Sequence, residues 1–249
     1  MNSRVFAATL LGISAGALAE THHPHWSYSG ESGPSHWASL DPKYEACGTG
    51  KAQSPIEIRT SSARSEALPT LEFHYRPSAL HIVDNGHTIQ VNVDPGSSLK
   101  VAGDTYQLVQ FHFHHPSEER IDGKQAEMVA HLVHKDSAGK LAVVAVLIDP
   151  GKPNATIDKL WNHVPHEQEH QADFAAVSVD PSALLPADRG YFTFAGSLTT
   201  PPCSEGVRWF VLKSRSPLSK AEIATFAARY HNDARPVQAL NGREVRATK

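Results

Sequence analysis

Gln110-Phe-His-Phe-His-His-Pro-Ser-Glu-Glu119 alternates histidine with phenylalanine before it breaks at a proline. A strand turns successive side chains to opposite faces, so His112 and His114 share one face with Gln110. Val109, Phe111 and Phe113 take the other, as a buried sheet face requires. Two imidazoles about 7 Å apart along a strand can grip one ion but cannot complete its shell. The missing ligand is expected from a neighbouring strand. Val129-Ala-His-Leu-Val-His134 is rich in β-formers, and Ile121-Asp-Gly-Lys124 between the two runs carries the Asp-Gly hairpin signal. An antiparallel return brings His131 across from His112 and His114. A histidine-rich surface strand is the plain alternative; the aromatic opposite face and the third histidine speak against it. Three neutral imidazoles with an open fourth position suit a catalytic zinc ion (Zn2+) better than a structural one.

Around that stretch the chain has the make-up of an ordinary folded domain. Its 249 residues, 40% hydrophobic and 20% charged, bury a core without help from a metal. A formal charge of −3 with no Lys/Arg cluster argues against nucleic acid as a partner. Residues 1–19 read as a secretory signal peptide. Arg4 supplies the n-region, Val5 to Ala15 is an apolar run too short to span a bilayer, and Ala17-Leu-Ala19 fits a cleavage site. A buried N-terminal helix is the alternative. Cleavage leaves residues 20–249 as the mature domain, with no other candidate membrane span and a periplasmic or secreted location. In an oxidising compartment the two cysteines, Cys47 and Cys203, read as one disulfide, two buried free thiols being the alternative.

Short β-type runs dominate, at 71–75, 79–84, 87–93, 105–114, 128–134, 191–194 and 207–212, and 141–148 is apolar throughout, as a strand buried on both faces. Ile157, Leu160, Trp161 and Val164 keep helical spacing after Asn154, a possible N-cap, and before Pro165. Ile223, Phe226, Ala227 and Tyr230 repeat that spacing behind Ser219-Lys-Ala-Glu222, a capping box. The expected fold is α+β but mostly β: one domain on a large, predominantly antiparallel central sheet with a few short peripheral helices.

Gln110-Phe-His-Phe-His, Ala130-His-Leu-Val-His and Ser197-Leu-Thr-Thr-Pro-Pro-Cys203 resemble the signature blocks of the α-class carbonic anhydrases. Trp26-Ser-Tyr28, Gly33-Pro-Ser-His-Trp37, Gln53-Ser-Pro-Ile56 and Asn85-Gly-His87 fit the same family in the same order. The likeness runs from about Trp26 to Arg246. It implies reversible hydration of carbon dioxide to bicarbonate and a proton, by attack of a zinc-bound hydroxide, in a monomer or homodimer with a small-molecule substrate. Thr199 matches the threonine that orients the hydroxide, with Thr200 beside it at the substrate, and Glu118 matches its carboxylate partner. Alone, Thr199 reads as a turn residue before two prolines. Val133, Val143, Leu198, Val207 and Trp209 match the family's apolar pocket wall; by pattern alone each is plain core. Gln110 can orient the His112 ring from behind. Tyr28 matches a tyrosine near the metal pocket and otherwise reads as packing. His87 matches the histidine proton shuttle.

Two positions depart from the family pattern. A glutamate usually stands two residues before the third histidine, where this chain has Val129, and Glu127 lies too far along the strand to replace it. A histidine commonly follows the acidic gate, where this chain has Glu119. Val129 is therefore expected to leave His131 without its usual carboxylate. A catalytically silent relative acting as a binding module would typically lose a zinc histidine, and all three stand here. A zinc-buffering protein would favour exposed histidine tracts over alternating His and Phe, and the His-Glu-x-x-His signature of another zinc hydrolase is absent.

Overall fold

Asp122 and Gly123 both adopt positive φ (49° and 74°), the left-handed pair demanded by a two-residue hairpin turn, and Ile121 pairs with Lys124 across it. That turn sends the chain back along the strand it has just left. In the computed structural model, which describes residues 25–249, seven strands position the site. They are β1 (Ser78–Asp84), β2 (Ile89–Asn92), β3 (Asp104–His114), β4 (Met128–Lys135), β5 (Leu141–Pro150), β6 (Tyr191–Ser197) and β7 (Glu205–Leu212). Their spatial order is β1-β2-β3-β4-β5-β7-β6 within a 13-stranded sheet. Most pairs are antiparallel, but β5 runs parallel to β7, and Arg246–Thr248 parallel to Arg64–Glu66, so the sheet is mixed. The expected signal peptide lies outside the described residues.

The register puts two cores on opposite faces of the sheet. On one, Phe111, Phe113, Ala130, Leu132, Val144 and Val146 pack with Leu80, Ile82 and the helices. On the other, Val129, Val143, Ala145, Val207 and Trp209 form a second apolar cluster. β5 contributes to both, which is why Leu141–Ile148 shows no polar alternation.

Val109 departs from the expected pattern: it is 38% exposed. Val133 pairs with Gln110 but His134 pairs with Leu108, so Val109 is the extra residue of a β-bulge. The bulge changes the parity of the strand. Tyr106 and Leu108 before it, and Phe111 and Phe113 after it, all reach the same core. Without the bulge, one continuous alternation would turn either the aromatic pair or Tyr106 and Leu108 out of that core.

Both expected helices are present and end early. Asn154 caps Ala155–Trp161 by accepting from Thr156 N at 3.0 Å, and Ser219 with Glu222 forms the capping box of Lys220–Ala227. Val164 and Tyr230 lie past the helix ends but still pack on the core. The strand His170–Val179 was not signalled by its sequence. Among the described residues it pairs only with β1, is largely exposed, and carries a register shift between Phe174 and Ser178, so no apolar period marks it. No helix among the described residues is long and apolar enough to cross a membrane.

Candidate metal centre

His112 sits directly across the β3–β4 ladder from His131, and His114 sits across from Val129 one step along. The three imidazoles rise from one face, and one ring nitrogen of each lies within 4.8 Å of the others. Their remaining nitrogens are spent. His112 Nδ1 meets Gln110 Oε1 at 2.8 Å, His114 Nδ1 meets the Asp233 carbonyl at 2.7 Å, and His131 Nε2 meets Glu119 Oε1 at 3.1 Å. Each of these acceptors draws the ring proton to the outer nitrogen. His112 Nε2, His114 Nε2 and His131 Nδ1 are left as lone-pair donors.

His114 Nε2 is buried and has no hydrogen-bond partner among the described residues. A buried acceptor left bare is costly, and a cation is the partner that suits three convergent imidazole lone pairs. Burial, with the neighbouring histidines adding, pushes His112 and His114 below the ordinary imidazole range, so both stay neutral as ligands must. Burial acts the same way on His131, but Glu119 and Glu118 overcome it and raise its pKa.

Glu118 stands on the metal side of the ring. Its Oε1 accepts from Arg235 N at 2.8 Å, and its Oε2 lies 3.7 Å from His114 Nε2 and 3.8 Å from His131 Nδ1. Burial pushes Glu118 up to about 7, with Glu119 adding to the rise; His131, the Thr199 hydroxyl and the Arg235 amide oppose it. Thr199 is buried and faces this carboxyl, although Glu118 Oε2 has no completed hydrogen bond. The loop carrying Leu198, Thr199 and Thr200 closes through Leu198 N to Ser204 O (3.0 Å) and Cys203 N to Thr200 O (2.8 Å). A disulfide joins Cys203 to Cys47 across 156 residues and anchors that loop to a buried patch with Trp37.

Val133, Val143, Leu198, Val207 and Trp209 fall in one apolar cluster on the histidine face. The Trp209 ring meets His131 edge-on at 5.0 Å, and its Nε1 donates to Ser197 O at 3.0 Å. Gly196 must be glycine here, because a Cβ would stand 2.7 Å from Trp209 Cδ1. Tyr28 packs against Trp26 and Trp37, and its buried hydroxyl has no partner among the described residues. His87 lies in the turn before β2 rather than in the strand, its ring stacked on Trp26 at 3.6 Å. Burial, then His25, lowers its pKa, while Glu169 opposes the change.

Three contributors were not legible in the sequence. Asp233 acts through a backbone carbonyl, which no side-chain pattern announces. Arg235 is buried in a loop, where its guanidinium donates to Gln53 Oε1, Ser54 O and Cys47 O while its amide holds Glu118. Glu119 overturns the expectation attached to Val129: His131 does have a carboxylate partner, supplied from the segment after β3. Its only signal was a second acidic residue beside Glu118.

On this sheet three convergent imidazoles beside an apolar wall form a group that could hold a metal ion. Residues 32–249 match the family described as eukaryotic-type carbonic anhydrase, and the chain belongs to that family, the α-class carbonic anhydrases, which are carbonate dehydratases. A carbonic anhydrase of a Nostoc species is 42% identical over 236 residues, spanning 94% of this chain and 89% of that protein. One from Klebsiella pneumoniae is 44% identical over 248 residues, spanning 98% and 99%. Among solved structures, the α-carbonic anhydrase of Thermovibrio ammonificans in complex with sulfanilamide superimposes with a TM-score of 0.87 at 41% identity, over 91% of this chain and 100% of that one.

Proposed function

We propose that the chain catalyses the reversible hydration of carbon dioxide to bicarbonate and a proton with zinc held by His112, His114 and His131. The observation that carries this reading is the set of three imidazoles whose outer nitrogens are tied off, leaving three lone pairs to converge beside an apolar wall. Zinc in such a shell lowers the pKa of a coordinated water to about 7, carbonic anhydrase itself being the reference case for that magnitude. Neutral ligands leave the positive charge undiminished for that purpose.

The protein's own groups do the rest. The Thr199 hydroxyl donates a hydrogen bond to Glu118, which leaves only its oxygen lone pairs to accept from the pocket and so sets the direction of attack. Glu118 is held ready by the Arg235 amide. Val133, Val143, Leu198, Val207 and Trp209 receive a substrate that has no net charge, and Thr200 offers a hydroxyl to the product. Gln110 fixes the His112 ring, and Tyr28 belongs to the pocket's surroundings through its packing on Trp26 and Trp37. His87 carries the proton between the pocket and solvent. Export to the periplasm or the cell exterior belongs to the same reading, supported by the Cys47–Cys203 disulfide.

Hydration of carbon dioxide, measured before and after chelator treatment with zinc quantified in the same sample, tests the reading. Activity should fall with zinc content and return when zinc is restored. Unchanged hydration by zinc-free protein would overturn it.

A further inference from the structure

Two consecutive residues flank His131, one at each edge of its ring, and only the second is hydrogen-bonded to it. Glu118 Oε2 lies 3.8 Å from Nδ1, and Glu119 Oε1 lies 3.1 Å from Nε2. Consecutive residues reach one ring because the chain has left the strand: β3 ends at His114, and Ser117 to Glu119 form an irregular arch. Ser117 pins that arch to the returning chain. Its amide donates to Ala126 O at 3.0 Å, its hydroxyl accepts from Ala126 N at 2.9 Å, and the same hydroxyl donates to Glu119 O at 2.9 Å. Glu119 is fully buried, and its Oε2 has no partner among the described residues. Its contact with His131 is thus the one hydrogen bond found for its own buried carboxyl among the described residues.

Val129 is equally buried, two residues before His131 on the same face and opposite His114. A carboxylate there would compete for the same Nε2. We propose that Glu119 is the positioning residue of His131, and that Glu119 and Val129 are two halves of one exchange in which the carboxylate has moved from the strand to the arch. Glu119 keeps the ring proton on Nε2 and so presents Nδ1 to the metal, while Val129 keeps a second negative charge from crowding the same edge. The inference rests on the zinc reading above and deepens it.

The test is zinc affinity, measured by competition with a chromophoric chelator, for the wild-type protein, Glu119→Gln, Val129→Glu and the double variant, with folding checked by circular dichroism. Glu119→Gln keeps the shape and removes the charge, and should weaken zinc binding about 10–100-fold. Val129→Glu alone should not tighten it, because His131 already has its partner. The double variant should regain most of the loss, a rescue that a merely structural role for Glu119 would not produce. Wild-type affinity in Glu119→Gln, tighter binding in Val129→Glu alone, or no rescue in the double variant would each overturn the inference. The Val129→Glu arm decides even if Glu119→Gln fails to fold. Should the wild-type protein hydrate carbon dioxide with zinc while Glu119→Gln binds as tightly, only this inference falls; a wild-type protein that binds no zinc overturns both.

Discussion

His131 and His134 lie three residues apart on β4, and both are buried. They face opposite sides of the sheet, because three steps along a regular strand of period two reverse the direction of the side chain. His134 has both ring nitrogens spent. Its Nε2 accepts from the Tyr75 hydroxyl at 2.7 Å, and its Nδ1 meets Ala142 O at 3.3 Å. His131 has one nitrogen tied to Glu119 and one left over beside His112 and His114. Burial alone therefore does not mark a metal ligand. An unspent lone pair does, and it is the partners of the second nitrogen that decide.

The largest expected effect comes from breaking the His131 side of that comparison. His131→Ala should strip most of the zinc and cut carbon dioxide hydration on the order of 10³-fold or more, since a bound metal supplies several kcal/mol of transition-state stabilisation. His112→Ala and His114→Ala should do the same. His134→Gln should retain zinc, as it has no lone pair to offer the ion. Metal analysis of the purified variants checks this; zinc lost equally from His134→Gln and His131→Ala would erase the distinction.

What made the two histidines separable is uneven in the sequence. His112, His114 and His131 were legible because regular strands have period two and Asp122-Gly123 fixes the return. The role of Val109 was misread because nothing in its neighbourhood announces the bulge. Glu119, the Asp233 carbonyl and Arg235 act from irregular segments, where no period relates residue number to direction. The ligands sit on the sheet and were readable; most of the groups that orient them sit on arches and loops and were not. Gln110 is the exception, and it lies on the strand.

Next in size is the disulfide, which bears on the loop facing His131 and has no counterpart near His134. Replacing Cys47 and Cys203 by serine should cost roughly 2–5 kcal/mol of stability. The loss should come with weaker catalysis, because Cys203 ties down the segment that carries Thr199. Urea unfolding of reduced and oxidised protein measures the first effect, and turnover at a temperature where both are folded measures the second.

Acid sharpens the comparison through opposite signs. Burial lowers His134 to about 4. Between pH 6.5 and 4 the unfolded chain binds the extra proton, so the stability from neutral His134 is present above pH 6.5 and lost on acidification. The shift is worth about 3 kcal/mol at pH 4. His131 in the metal-free protein has a raised pKa, so its contribution is present below the unfolded value and lost as pH rises through the folded one. Zinc-free wild-type protein should therefore lose about 3 kcal/mol more than His134→Gln between pH 7 and 4. Parallel unfolding curves at the two pH values would show that His134 is protonated in the fold.

His87 completes the series, and its expected effect is the smallest. His134 has both ring nitrogens spent and His131 has one; the His87 ring makes no hydrogen bond among the described residues and is only half-buried against Trp26. A proton relay needs that condition, because both nitrogens must be free to take up and release a proton. It also needs a pKa near that of the water it serves. Imidazole starts at about 6.5, and burial moves His87 below that value without removing it from solvent. His87→Ala should slow turnover about tenfold or more in weak buffer, at the lower end of what positioned acid–base groups contribute. Imidazole added to the medium should restore much of the loss. The value of kcat/KM for carbon dioxide should stay nearly unchanged, because the attack itself precedes the proton transfer. A fall in kcat/KM instead would make His87 part of the pocket's structure, and full turnover in dilute buffer would leave a free ring nitrogen necessary for a relay but not sufficient to identify one.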